Sequence, residues 1–556
     1  MQKIIYLIIF LTFFLGYSQK EKSSILIPNT KKNLKLTDQE TLNWHHKDII
    51  DDTIPGISLD KAYKKILNKK KLDNVIIAII DQQVEINHED LKDQIWNNPK
   101  EIPDNNIDDD NNGYIDDIHG WNFLGNSKGE NIIRANYEFV RVIRKFDSTF
   151  KNKRKEHISS KQKANFLIYK QAQKSYEKKL KFAKKEQEYA DFLVRNYPKS
   201  KKLLKTFFPQ ENYTLQQVDS LYKVHKENSE LGKLIYFMYD YLKYNLSKDW
   251  IIETKKTADE RLSKLMNFKY NDRSILGDDP NNLADNEYGN NIVNKYSKIL
   301  YHGTNVTGVI ASTRDNNIGA QGILNNCKIM VLSVSPIGDE NDKDISLAIK
   351  YAVDNGAKII NMSFGKDFSI NKKWVNEAIK YASEKDVLIV SSAGNESRNL
   401  DNQNIYHVND TEYSTGNEIS NNFLLIGSST YSLDKNLKKS SSNYGKSNVD
   451  LFAPGHNIYT TSPLEEKYKF TTGSSYSSAI VSGIAALIRS CYPDLKAFQI
   501  KEILMKSGIS YNIDVEMTLK DNTKKMIPFS DLSKSGKIVN AYNALLMAEQ
   551  VSKGTE

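Results

Sequence analysis

Asp81 closes the apolar run Val75-Ile76-Ile77-Ala78-Ile79-Ile80. Such a run reads as a strand buried on both faces, and a carboxylate at its carboxyl end can orient a histidine and stabilise the protonated imidazole. His302 opens His302-Gly303-Thr304-Asn305-Val306-Thr307-Gly308 at the start of a small-residue helix. An imidazole there can act as a base near neutral pH. Asn395 follows the strand-like Val387 to Ser391 in Ser391-Ser392-Ala393-Gly394-Asn395-Glu396. Its side-chain amide can donate to a developing oxyanion, although Gly-Asn is also good turn chemistry. Gly473-Ser474-Ser475-Tyr476-Ser477-Ser478-Ala479 enters another helix. A serine at a helix N-terminus has its alkoxide favoured by the dipole and the free N–H groups. Spacing alone does not choose among Ser474, Ser475, Ser477 and Ser478. Together the four stretches supply a nucleophile, a base, an orienting acid and an oxyanion donor, the parts that acyl transfer needs.

A fifth stretch points to a metal. In Asp108-Asp109-Asp110-Asn111-Asn112-Gly113-Tyr114-Ile115-Asp116-Asp117, the residues Asp108, Asp110 and Asn112 alternate before a glycine. That is the opening of a calcium loop of EF-hand type, with the Tyr114 carbonyl and Asp116 as further ligands. The bidentate carboxylate expected at the twelfth position is replaced by His119. A structural Ca²⁺ is expected here.

The elements that must hold these residues follow from periodicity. From about residue 300 onward, strand-like runs (Lys328 to Val334, Ala357 to Met362, Val387 to Ser391, Phe423 to Ile426) alternate with amphipathic helices. This predicts an α/β domain with a mostly parallel sheet flanked by helices. Residues 128–298 are different: rich in Lys, Glu, Tyr and Asn, with long helical stretches and no strand alternation. So long a gap is no ordinary loop, and a folded helical insertion is expected near the entrance of the site. Residues 19–72 are polar and read as an N-terminal arm or short pro-segment; the body of the domain is expected over 73–127 and 299–550.

Lys3, the apolar run Ile4 to Leu15 and the small residues Gly16 and Ser18 fit a cleaved leader at 1–18. Export to the periplasm or outside the cell is expected, with no stable membrane insertion after cleavage. Two cysteines, Cys327 and Cys491, read as buried hydrophobes and not as a disulfide framework. The net charge of +9 reads as a solvated lysine-rich face. No nucleic-acid-binding motif accompanies it, and no nucleic-acid partner is expected.

Taken together and in this order, the Asp, His, Asn and Ser stretches resemble the subtilisin-like (subtilase, S8-type) serine peptidases. The resemblance covers about 74–125 and 299–512. It implies a subtilisin-like fold and an endopeptidase acting on protein or peptide substrates through an acyl-enzyme. It implies Asp81 as triad acid, His302 as base and Asn395 as oxyanion donor. It also selects Ser475 as nucleophile, since Gly473-Ser474-Ser475 resembles the family's Gly-Thr-Ser. Asn361-Met362-Ser363-Phe364-Gly365 resembles the strand that pairs with substrate, which implies Ser363, Phe364 and Gly365 as substrate-binding residues. Val449-Asp450-Leu451-Phe452-Ala453-Pro454-Gly455 resembles the Ala-Pro-Gly turn before the serine region. The chain departs from the pattern at Gln82-Gln83 after the acid, at Asn305 for a second histidine, at Tyr476 for a methionine and at Ala479 for a proline. The long insertion resembles a Bacteroidetes-type branch. A catalytically silent subtilase-fold binding scaffold is the alternative that these departures raise.

Overall fold

β1, Val75–Asp81, is the strand on which the site is built. Its side chains are buried on both faces, Ile77 and Ile79 toward one core, Ala78 and Ile80 toward the other. A strand so placed must lie inside a sheet covered on both sides. The computed structural model describes residues 36–402, 417–518 and 523–555, and the leader expected at 1–18 lies outside them. The other strands are β2 (Gly120–Asn122), β3 (Cys327–Ser333), β4 (Ile359–Met362), β5 (Leu388–Ser392), β6 (Phe423–Ser429), β7 (Leu451–Pro454), β8 (Ile458–Thr461), β9 (Tyr468–Thr471), β10 (Ile509–Ser510), β11 (Asp514–Thr518), β12 (Lys524–Pro528) and β13 (Lys537–Ile538). Nine of them form one sheet in the order β10-β13-β7-β6-β5-β4-β1-β3-β2. Every pairing from β2 to β13 is parallel, and β10 pairs with β13 antiparallel. The sheet is therefore mostly parallel and flanked by helices, as the alternation predicted.

The helices are α1 (Asp38–Asn43), α2 (Leu59–Lys65), α3 (Glu138–Phe150), α4 (Lys163–Phe207), α5 (Leu215–His225), α6 (Leu231–Lys243), α7 (Lys248–Glu260), α8 (His302–Ala311), α9 (Asp342–Asp354), α10 (Lys372–Glu384), α11 (Ser474–Cys491), α12 (Ala497–Ser507) and α13 (Ala541–Ser552). α8 and α11 contribute to one core, α9 and α10 to the other. Residues 44–67, within the stretch expected as an arm, are built into the first of these cores: Trp44, Ile54, Ile57 and Leu59 are fully buried. The Trp44 indole donates to the carbonyls of His456 and Asn457, and Ala541 N–H donates to the Ile57 carbonyl. Both cysteines are free thiols. Among the described residues, no helix is long and apolar enough to cross a membrane.

The helical insertion leaves and rejoins the sheet at one point. Asn122, the last residue of β2, exchanges backbone hydrogen bonds with Asn290 at 2.8 and 3.1 Å. Between these ends, α3 and the first half of α4 bury Phe139, Phe150, Phe166 and Tyr169 in a small core that Phe368 joins from the segment after β4. The second half of α4 with α5, α6 and α7 forms a further small core around Leu204, Ile235 and Met238. The insertion is tied down by Arg134, which bridges to Ile337 in parallel, and by Arg141. The Arg141 guanidinium meets Glu138 at 2.7 Å and Asp272 at 3.3 Å and donates to the carbonyls of Asp339 and Glu340.

Candidate active site

Four chain segments converge at the carboxyl ends of β1, β4 and β5 and the N-termini of α8 and α11. Asp81 ends β1, and its backbone carbonyl accepts from the N–H groups of Val334 and Ser335, which fixes the strand end. Its carboxylate is 1% exposed and faces His302: the imidazole Nδ1 lies 2.8 Å from Oδ1 and 3.0 Å from Oδ2. With Nδ1 as the donor, Nε2 is left free as a base. The His302 side chain keeps 28% of its surface exposed. Burial lowers its pKa, but the Asp81 charge and hydrogen bond, with Glu340 behind them, outweigh burial and raise it above the ordinary 6.5.

The glutamines after the acid, which depart from the family pattern, position this pair. Gln82 Oε1 accepts from the His302 backbone N–H at 3.0 Å, one of the unpaired donors of the α8 N-terminus. Gly303 packs so tightly on Gln82 that a Cβ there would stand 2.5 Å from its carbonyl oxygen. Gln83 is buried and ties the returning insertion to β1: it donates to the Ile292 carbonyl and accepts from the Tyr296 N–H. Tyr476 and Asn305, two further departures, meet each other. The buried Tyr476 ring lies 5.9 Å from the His302 ring, and its hydroxyl reaches Asn305 and Thr471.

The serines of the α11 N-terminus separate by their partners. Ser474 Oγ accepts from Gly394 N–H, Ser477 Oγ donates to the carbonyls of Ala453 and Pro454, and Ser478 Oγ donates to the Ser475 carbonyl. All three are fully buried, whereas Ser475 keeps 8% exposure. Ser475 Oγ donates to the Ser363 carbonyl at 2.9 Å, so its hydroxyl is turned toward the strand edge and not toward His302. Beneath it, Asn361, Ser363, Ser478 and Ser482 form a buried hydrogen-bonded chain that locks β4 to α11. Asn395 is exposed at the end of β5, and its Oδ1 accepts from Ser474 N–H at 2.9 Å, which leaves the amide N–H₂ free to donate. The turn carrying it needs Gly394 at φ +97°, where a Cβ would stand 2.5 Å from the Asn443 amide. Ser363, Phe364 and Gly365 run on beyond β4, and Gly365 is exposed.

Two carboxylates that sequence reasoning missed, half-buried Asp339 and buried Glu340, stand beside this cleft. Asp339 and Glu340 follow β3 on the segment that touches Asp81. Burial pushes Asp339 up to about 6, and burial together with the Asp339 charge pushes Glu340 up to about 7. Lys366, just past Gly365, donates to the Glu340 carbonyl at 2.9 Å and pairs with Asp342 at 2.7 Å. No local pattern marks these residues, because their partners Glu138, Arg141 and Lys366 are distant in sequence.

At the acidic loop the structure brings Asp108 and Asp110 together with Glu101, their carboxylate oxygens within 4.8 Å of one another. Glu101 escaped the sequence reading because it precedes the repeat. Burial, with the Asp117 and Asp110 charges, pushes its pKa up. Asn112 is turned inward, its Oδ1 on Tyr114 N–H and its Nδ2 on Asp117. The Tyr114 ring packs on Trp121 and Tyr351. The Asp116 carboxylate accepts from the N–H groups of Asn105 and Asn106 and stands apart from the three clustered carboxylates.

A family model described as the subtilase family matches residues 73–530. Halolysin of Haloferax mediterranei is 39% identical over 187 residues, 34% of this chain and 32% of that one. The cell wall-associated protease of Bacillus subtilis is 32% identical over 226 residues, 40% of this chain and 23% of that one. Subtilisin-like protease 1 of Plasmodium vivax is 31% identical over 244 residues, 42% of this chain and 38% of that one. The matches thus span well under half the length of these relatives. Among solved structures, a cold adapted subtilisin-like serine proteinase aligns with 40% of this chain and 72% of its own at 23% identity and a TM-score of 0.32. The subtilase cytotoxin SubAB assembly structure aligns with 48% and 81% at 24% identity and a TM-score of 0.38.

Proposed function

We propose, from the premise that the chain belongs to the subtilase family, that it is an exported serine endopeptidase with Asp81, His302 and Ser475 as its triad. The observation that carries this reading is the Asp81–His302 pair at 2.8 Å, set beside a serine at the N-terminus of α11. Ser475 Oγ leaves the Ser363 carbonyl by rotation about χ1 and attacks the substrate carbonyl carbon, passing its proton to His302 Nε2. Asp81 holds the imidazole and favours its cationic form. The oxyanion accepts from the Asn395 amide and the Ser475 N–H. The C–N bond then breaks, the leaving amine takes the proton from His302, and water hydrolyses the Ser475 ester by the same route. Ser363, Phe364 and Gly365 pair with the substrate backbone. Export to the periplasm or beyond is supported by the leader-like residues 1–18.

A Ca²⁺ ion fits the acidic loop through Glu101, Asp108 and Asp110, a set of hard oxygen donors whose mutual repulsion a cation would relieve. Such an ion is structural: it would hold the segment between β1 and β2.

A fluorophosphonate probe tests the chemistry, since it labels an activated serine and not merely an exposed one. The wild-type protein should be labelled near neutral pH. Ser475→Ala and His302→Ala should both abolish labelling, while Ser474→Ala, Ser477→Ala and Ser478→Ala should retain it. No labelling of the wild-type protein with calcium present would sink the enzyme reading and leave the binding scaffold.

A further inference from the structure

We propose that the basic face of the α3–α4 hairpin is an exosite that holds acidic segments of protein substrates upstream of the scissile bond; this rests on the peptidase reading above. Charge is divided unevenly along the chain. Residues 128–298 carry 36 Lys and Arg against 22 Asp and Glu, a net +14, whereas the whole chain carries +9. The rest of the protein is therefore net acidic. Within the insertion, residues 151–185 hold thirteen Lys or Arg against two Glu. Their side chains are mostly exposed. Among the described residues, one of these cations, Lys151, has a carboxylate within ion-pair distance, Asp147 at 3.3 Å. A solvated helix face ordinarily interleaves both signs. Here α7 does so, with Lys255 on Asp191 and Asp259, and residues 151–185, the α3–α4 turn and the first half of α4, do not.

The face also leads to the cleft. Lys179 lies 5.2 Å over the Tyr137 ring, Tyr137 stacks on Phe139, and Phe139 meets Phe368 at 6.5 Å. Phe368 follows Gly365 by three residues, and the Lys179 ammonium feels the charges of Asp339 and Asp367. Ser363 is the end of that segment nearest Ser475, so the segment runs away from the nucleophile toward the hairpin. A substrate paired antiparallel to it carries its upstream residues the same way. From Lys179 back to Lys163 the helix rises about 24 Å, which about eight extended residues would cover.

The chemistry of the face favours an acidic polypeptide. Twelve of the thirteen cations are lysines, strongly hydrated point charges that suit carboxylates in any arrangement, and the single Arg154 offers little planar base or phosphate recognition. The turn between α3 and α4 presents no exposed large apolar side chain to enter a bilayer, since Ile158 is buried.

The test compares two peptides sharing one cleavage sequence, one of them extended upstream by ten Asp and Glu residues. At low ionic strength the extension should lower KM about tenfold with kcat little changed, the size of effect that electrostatic capture gives. The advantage should vanish in about 0.5 M salt. It should also vanish in Lys153→Glu/Arg154→Glu/Lys155→Glu and in Lys178→Glu/Lys181→Glu/Lys185→Glu, with the plain peptide cut as before. Equal KM for both peptides, or the same advantage from a downstream extension, would overturn the proposal. If neither peptide is cut, the peptidase reading has failed on its own. Fluorescence anisotropy of the labelled acidic decapeptide on Ser475→Ala then decides the exosite: binding lost in the charge variants supports it, and absent binding refutes it. Capture of phosphatidylserine-rich vesicles without peptide binding would replace it with a membrane surface.

Discussion

On the sheet side, a set of buried polar side chains beneath Ser475 is paired internally. The side chains of Asn361, Ser363, Ser478 and Ser482 satisfy each other under α11, and Gln82 caps the helix that His302 begins. In the insertion, two small apolar cores hold the helices, and most charges are left to water. The first arrangement fixes atoms to fractions of an ångström, as chemistry requires. The second fixes only a surface. What joins them is a buried ionic seam of Arg141, Glu138, Asp272, Lys366 and Asp342, flanked by the Phe139–Phe368 contact and the backbone bridge from Arg134 to Ile337. Buried charge across this seam is expected to decide more than the apolar contact whether the two regions act as one body.

Cutting the seam is the strongest way to break that picture. Arg141→Ala leaves Glu138 with Lys366 alone and Asp272 buried without its cation, and removing one member of a buried ion pair costs about 3–5 kcal/mol. Hydrogen exchange should show α3 opening sooner while β1 stays protected. Equal loosening of both would mean that the insertion is no separate unit. Next in size is Asn395→Ala. A single oxyanion donor is worth roughly 3–4 kcal/mol, so turnover should fall by about a hundredfold or more while probe labelling of Ser475 survives. A drop within threefold would mean that the amide does not face the oxyanion. Calcium removal should be milder and confined to the sheet side. A ligand at about a hundred times its Kd contributes about 2.7 kcal/mol, so chelation should lower Tm by several degrees, and Glu101→Gln should weaken that response. An unchanged Tm would reduce the loop to an acidic turn.

Much of the sheet side was legible in the sequence because its signals are local. The all-apolar β1 run, the glycine-flanked histidine and the small-residue helix α11 each announce themselves within ten or so residues. The choice of Ser475 over its neighbours needed the family pattern, since all four serines of the α11 N-terminus hold hydrogen-bond partners. What stayed hidden depends on distant pairing. The burial of Trp44 needed carbonyls more than four hundred residues away. Glu101 joins Asp108 and Asp110 across a turn, and Asp116, which fits the repeat, is diverted to two backbone N–H groups. Gln82 and Gln83 looked like departures from a motif; their value lies in Ile292, Tyr296 and His302, which only the fold brings near.

The smallest expected effect joins the two regions through one charge. Glu340 stands between the seam and His302, with its carbonyl held by Arg141 and Lys366. Its negative charge helps raise the His302 pKa against burial, so Glu340→Gln should let that pKa fall. His302 must be neutral to act as base, and the acidic limb of kcat/KM should therefore move to lower pH, by less than about one unit for a single partly screened charge. Stability should respond with its own sign. Glu340 has a folded pKa raised from 4.5 to about 7, so the native state holds a proton that the unfolded chain has lost between those values. Stability from this group is present below the unfolded pKa and declines as pH rises toward the folded one. The Gln variant escapes that decline, and its Tm relative to wild type should be higher at pH 8 than at pH 5. An acidic limb that stays in place while the Tm difference changes would mean that Glu340 serves the seam alone and that the two regions do not communicate through it.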